Sequence, residues 1–79
     1  MDREALDREL LEAHANCDQE ALVRLYTIAA DERELARDVD AACFYLTHAF
    51  VFALESGHPE ASNLNKRLAD YGRAHRLEF

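Results

Sequence analysis

VDAACFYLTHAFVFALES, residues 39–56, is the stretch on which the rest of the chain depends. Between Asp40 and Glu55 fourteen consecutive residues carry no formal charge, in a 79-residue chain whose net charge is -7. On a helical wheel the run has two apolar faces, one with Val39, Cys43, Leu46, Phe50, Ala53 and Leu54, the other with Phe44, Tyr45, His48, Val51 and Phe52. A helix apolar nearly all round must be covered by neighbouring helices, by a partner or by lipid. Lipid is disfavoured, because a spanning helix needs roughly 20 apolar residues and this run is shorter and interrupted by Thr47 and His48. Asp38 and Asp40 offer N-terminal caps and negative charge at the positive helix end, while Gly57 and Pro59 stop the run. Those boundaries favour helix over strand.

The flanking segments have helical spacing as well. Residues 2–15 place Leu6, Leu10, Leu11 and Ala13 among charges, with Arg8 and Glu12 one turn apart. Asn16-Cys17-Asp18 marks a break, with Asn16 or Asp18 as the next cap. Residues 19–35 line up Leu22, Leu25, Tyr26 and Ala29, with Val23 and Ile28 beside them, and the charged run from Asp31 to Asp38 leaves the helix end unplaced and open to fraying. A last helix is expected over residues 59–75, with Pro59 in its first turn and Ala61, Leu64, Leu68 and Tyr71 in a stripe. Leu77-Glu78-Phe79 would be a frayed end or fold back onto the bundle. With two Gly and one Pro in the whole chain, few turns are available. The expectation is an all-α single domain, residues 1–79, with four helices in two antiparallel helical hairpins. A chain of this size buries only about 60% of the surface its unfolded form exposes, so uncovered rings on the central helix would favour association.

Charge narrows the classes of partner. Residues 1–40 hold twelve acids and five bases, and residues 55–79 hold four of each. That balance opposes nucleic-acid binding, which relies on cations neutralising phosphates, and opposes anionic membranes. The acidic N-terminal half keeps a small protein soluble and favours basic partners over acidic ones. The opening MDREALDREL is charged and periodic from its start, unlike a signal peptide, so a reducing cytoplasm and free thiols at Cys17 and Cys43 are expected. Cys43 is expected to act as a small buried hydrophobe.

Compared with itself at an offset of forty residues, the chain pairs Leu6 with Leu46, Ala13 with Ala53, Glu20 with Glu60, Ala21 with Ala61, Ala29 with Ala69 and Arg33 with Arg73. Ala53-Leu54-Glu55-Ser56-Gly57-His58-Pro59-Glu60-Ala61 resembles the junction of SEL-like repeats, tetratricopeptide relatives in which one helix ends on Gly and the next begins around an Ala. Asp18-Gln19-Glu20-Ala21 followed by Leu25 resembles the same start one unit earlier, so the likeness covers residues 18–61. The chain departs from the pattern where Tyr26 and Lys66 replace an expected Gly, where the charged segment from Glu32 to Arg37 lengthens the turn, and in having about two units. The resemblance implies a tetratricopeptide-like scaffold for protein contacts, with no inherited catalytic residues.

No pattern completes a chemical site. His14 and Cys17 straddle a break, Cys43 and His48 point about 140° apart at 100° per residue, and Glu55-x-x-His58 has no second motif to complete a carboxylate-bridged metal site. Asp38 and Asp40 are explained as helix-capping residues. There is no nucleophile elbow, Gly-rich phosphate loop or Cys-x-x-Cys. The function expected is a non-catalytic interaction module without cofactor or evident small-molecule substrate, binding a protein partner or a copy of itself through Phe44, Tyr45, His48, Val51 and Phe52. The competing expectation is a metal- or redox-responsive regulator built on Cys17, Cys43, His14 and His48.

Overall fold

Four helices form in the order expected: α1 (Arg3–Ala15), α2 (Gln19–Leu35), α3 (Val39–Ser56) and α4 (Ala61–Asp70). The computed structural model describes residues 2–73, and no strand occurs among them. Each helix packs against its chain neighbours, α1 on α2, α2 on α3 and α3 on α4. The Cα trace measures 32 × 29 × 13 Å, a slab of helices with two broad faces.

The helix ends repeat every twenty residues. Cys17, Arg37 and Gly57 all have positive φ, at 51°, 60° and 64°. The next residue in each case, Asp18, Asp38 or His58, donates its N–H back to the carbonyl of Ala13, Arg33 or Ala53. These bonds satisfy carbonyls left open at a helix end and turn the chain sharply. Asp18 and Asp38 then cap the following helix, each accepting the N–H three residues on, from Ala21 and Ala41 at 3.2 Å. Of the two caps proposed at each start, Asp18 rather than Asn16 serves α2, and Asp40 lies inside the first turn of α3. The charged run after Asp31 therefore ends its helix at a defined residue, Leu35, with Ala36 as C-cap.

The last helix is shorter than its sequence pattern. Pro59 lies in the turn rather than in the helix, because the His58 imidazole Nδ1 accepts the Glu60 N–H and the His58 carbonyl accepts the Ala61 N–H. At the other end Gly72, at φ 73°, and Arg73, whose N–H returns to the Leu68 carbonyl, close the helix after Asp70. Three members of the expected stripe, Ala61, Leu64 and Leu68, are buried, whereas the fourth, Tyr71, is the C-cap and is exposed, its hydroxyl turned to Glu34. The remainder of the expected helix and the segment Leu77–Phe79 lie outside the described residues.

Two apolar cores result. Leu6, Ala13, Leu22, Leu25 and Ala29 join α1 to α2. Val23, Ala30, Cys43, Leu46, Ala49, Ala53, Ala61, Leu64 and Leu68 join α2, α3 and α4. The α3 contribution corrects the expected inner face. Its buried residues are Ala42, Cys43, Leu46, Ala49 and Ala53, whereas Val39 and Leu54, assigned to the inner face, are 40% and 45% exposed. Small side chains make much of the seam because they let α2 and its one aromatic residue, Tyr26, approach the α3 backbone, which leaves larger side chains at the margins.

Candidate functional site

The broad face over α1, α2 and α3 is built from rings. Tyr26 on α2 is the hub, lying 6.2 Å from Tyr45, 5.9 Å from Phe52 and 5.1 Å from His48 between ring centroids, all at small interplanar angles. His14 from α1 sets its edge against Tyr26 and Phe52, both at 5.8 Å. Offset and edge-on pairs at such separations are favourable beyond the area they bury. The Tyr26 hydroxyl and His14 Nε2 share a hydrogen bond of 2.8 Å, and Arg3 donates to the Tyr45 hydroxyl at 3.4 Å. Burial, with Tyr45 adding to it, holds the Tyr26 phenol above its ordinary pKa. Tyr26, Tyr45 and Phe52 pack on both apolar cores, so the rings also tie the two cores together.

The five side chains expected to meet a partner thus divide. Tyr45, His48 and Phe52 are half-buried and largely committed to Tyr26 and His14, whereas Phe44 and Val51 are 58% and 44% exposed. Phe44 leans on His48, 4.4 Å between centroids, and on Tyr45 at 5.5 Å. Thr47, His48, Val51 and Phe52 line a surface depression of about 220 Å³. Three polar groups along this helix are turned onto their own backbone: Thr47 donates to the Cys43 carbonyl at 2.8 Å, His48 Nδ1 to Phe44 at 2.9 Å and Ser56 to Phe52 at 2.9 Å. Because a carbonyl only accepts, His48 Nδ1 carries its ring proton in this bond. Such back-bonding removes polar groups from the surface and leaves the strip apolar in effect.

Two participants are not among the residues expected on the partner-binding face: Tyr26 reads as core in the sequence, and His14 only as a member of the metal or redox set. Tyr26 has ordinary core spacing on α2, and His14 lies across a turn from it, so only the packing of three helices reveals their contact. The four side chains of the metal or redox expectation are dispersed. Cys43 is buried in the α2–α3–α4 core and Cys17 is exposed in the first turn, both as free thiols, while His14 and His48 flank Tyr26. Among the described residues no three His, Cys, Asp or Glu side chains gather as metal ligands.

The opposite face, between α2 and α4, is held by charge. Arg67 donates to Asp31 at 2.6 Å and also to Glu34, which accepts a further bond from the Tyr71 hydroxyl. The Tyr71 bond, assisted by Arg67 and opposed by burial, holds the Glu34 carboxyl below its ordinary pKa. The same bond raises the Tyr71 phenol. Arg73 donates to Asp40 at 2.5 Å. A depression of about 370 Å³ lies on this side among Glu20, Val23, Arg24, Thr27, Ile28, His58 and Glu60. No helix among the described residues is long and apolar enough to cross a membrane. Compared with known protein families, with curated proteins and with solved structures, the chain matches none.

Proposed function

We propose that the chain is a small non-catalytic interaction module of tetratricopeptide-like, SEL-like build, in which two helix pairs, α1–α2 and α3–α4, present one face to another protein in the cytoplasm. The twenty-residue recurrence of helix ends supports the repeat: two such steps make the forty-residue offset at which Ala13 and Ala53 are both buried and both accept the closing N–H. The outer faces of the terminal helices support a closed pair of units. Glu4, Asp7, Arg8 and Glu12 are exposed on α1, and Ser62, Asn63, Lys66 and Asp70 on α4, as on the polar ends of a capped array.

The observation that carries the reading is the exposed apolar strip of α3. Phe44, Val51 and Leu54 stand out of the fold beside His48 and Phe52, on a helix whose Thr47 and Ser56 hydroxyls and His48 imidazole are bonded to its own backbone. An exposed ring at i with apolar neighbours at i+7 and i+8 is the pattern by which one helix face receives another. A photo-crosslinking phenylalanine placed at residue 44 or 51 in cells that make the protein should yield protein adducts, while the same group at Ser62 should yield none. Absence of adducts at both α3 positions, or equal yields at Ser62, would sink the proposal.

A further inference from the structure

The last helix is attached differently from the other three. It has ten residues, and helices shorter than roughly 12 to 15 residues are marginal alone in water, so α4 persists only while it is docked. Among the described residues its backbone approaches that of α3 alone. One end continues from α3 through a turn that contains Pro59 and Gly57, the latter in the left-handed conformation at φ 64°. The other end is fastened by charge: Arg67 to Asp31 and Glu34, the Tyr71 hydroxyl to Glu34, and Arg73 to Asp40. The side chains of Asp31, Asp40 and Arg73 are 55%, 88% and 45% exposed, so salt reaches this clasp. We infer that α4 is a strap over the Cys43 thiol: when the clasp lets go it swings out on the turn at residues 57–59 while α1, α2 and α3 stay folded, and each opening brings Cys43 from the core into water.

The thiol lies under the clasped end. Cys43 is 3% exposed, and the core that holds it takes Leu64 and Leu68 from α4. It is one turn along α3 from Asp40, the residue that Arg73 holds, so thiol and clasp share a side of that helix. The Tyr71 phenol and the Arg73 guanidinium, whose pKa values are raised first by their bonds to Glu34 and Asp40, are raised further by Cys43, as its nearness to both requires. What stays behind when α4 leaves has its own support. Leu6, Ala13, Leu22, Leu25 and Ala29 form a core to which α4 contributes nothing, and Tyr26 joins it to α3 through Tyr45 and Phe52. Opening exposes Ala61, Leu64 and Leu68 with the α3 side chains beneath them, a small part of what unfolding exposes, so it is the easier of the two events. It does not depend on what meets the apolar strip of α3.

The test is the rate at which an uncharged maleimide labels the full chain carrying Cys17→Ser, in which Cys43 is the single thiol. At low reagent, where closing outpaces labelling, that rate follows the open fraction. Cys43 should react far more slowly in the folded chain than in the urea-unfolded one. Arg67→Ala should raise the folded rate roughly tenfold, the equivalent of about 1.4 kcal/mol. Salt at about 1 M, where the screening length falls to about 3 Å, should raise it severalfold in the parent and little in Arg67→Ala. Urea well below the unfolding midpoint should change it only weakly, because the response to urea scales with the surface exposed. A rate that climbs with urea as steeply as global unfolding overturns the strap, and so does one indifferent to both salt and Arg67→Ala. Equal rates in the folded and unfolded chain would show that nothing covers Cys43. If Arg67→Ala fails to fold, the salt and urea series on the parent decide alone.

Discussion

The two broad faces of the slab solve one problem in different ways. Helices one position apart in the chain touch directly, but α1 and α3, and likewise α2 and α4, do not approach within 8 Å between Cα atoms among the described residues. Each gap must be bridged by side chains. Between α1 and α3 the bridge is aromatic, with Tyr26 as floor, Tyr45 and Phe52 as one wall and His14 and Arg3 as the other. Between α2 and α4 it is ionic, Arg67 reaching Asp31 and Glu34, with Tyr71 bonded to Glu34. Rings bury area whatever the salt or pH, whereas charges near the surface are screened and titrate. The first bridge should therefore set the global stability, and the second should set how tightly α4 is held.

Removal of the hub should have the largest effect. Tyr26→Ala should cost roughly 2 to 4 kcal/mol, a large part of the stability of a small domain. Urea unfolding followed by circular dichroism measures it, and a loss no greater than that of Arg67→Ala would break the contrast. Arg67→Ala should cost roughly 1 to 2 kcal/mol, because the side chain is only 22% exposed and its loss leaves Asp31 and Glu34 without their shared cation, Glu34 keeping only its Tyr71 bond. Hydrogen exchange should place the loss in α4, and the cost should shrink in high salt, where that of Tyr26→Ala should not.

The pH response sharpens the same contrast. Glu34 is held below its ordinary pKa chiefly by Tyr71, so the unfolded chain takes up its proton first as pH falls. Its contribution is fully present above the unfolded value, about 4.3, and disappears as pH drops through the folded one. Urea midpoints of the parent and Glu34→Gln should differ near neutrality and converge in acid. Curves that stay parallel would remove the carboxylate from the account of α4. The smallest change expected is His14→Phe, which keeps a ring against Tyr26 and Phe52 but loses the partner of the Tyr26 hydroxyl. A loss of about 0.5 to 1.5 kcal/mol in the same urea assay would measure that bond, and a larger one would mean that the aromatic bridge is more polar than its ring contacts imply.

Much of the helix layout was legible because capping is local. Asp18, Asp38 and Gly57 act on backbone groups within five residues, and the starts of α2 and α3 and the end of α3 fall where the sequence put them. The end of α2 was not legible, since Arg37 adopts a left-handed conformation that its side chain does not advertise. The start of α4 was misread because Pro59 fits a first helical turn and a plain turn equally well, and the His58 imidazole chose the turn. Within the candidate site the exposure of Phe44 and Val51 follows from a helix with more apolar residues than its neighbours can cover. The partial withdrawal of Tyr45, His48 and Phe52 does not, because it depends on a tyrosine from α2 and a histidine from α1.

By itself the sequence determined that the described residues are helical, where α2 and α3 start and α3 stops, and that one uncharged helix would carry more apolar surface than its neighbours could cover; each of these depends on interactions within a few residues or on composition. Tertiary structure alone decided which side of that helix is sealed by alanines, which rings are shared with Tyr26, and which acids of a charged run bind Arg67. Those outcomes join residues 12 to 37 positions apart, and no local spacing encodes them. They exist only once helices distant in the chain are brought side by side.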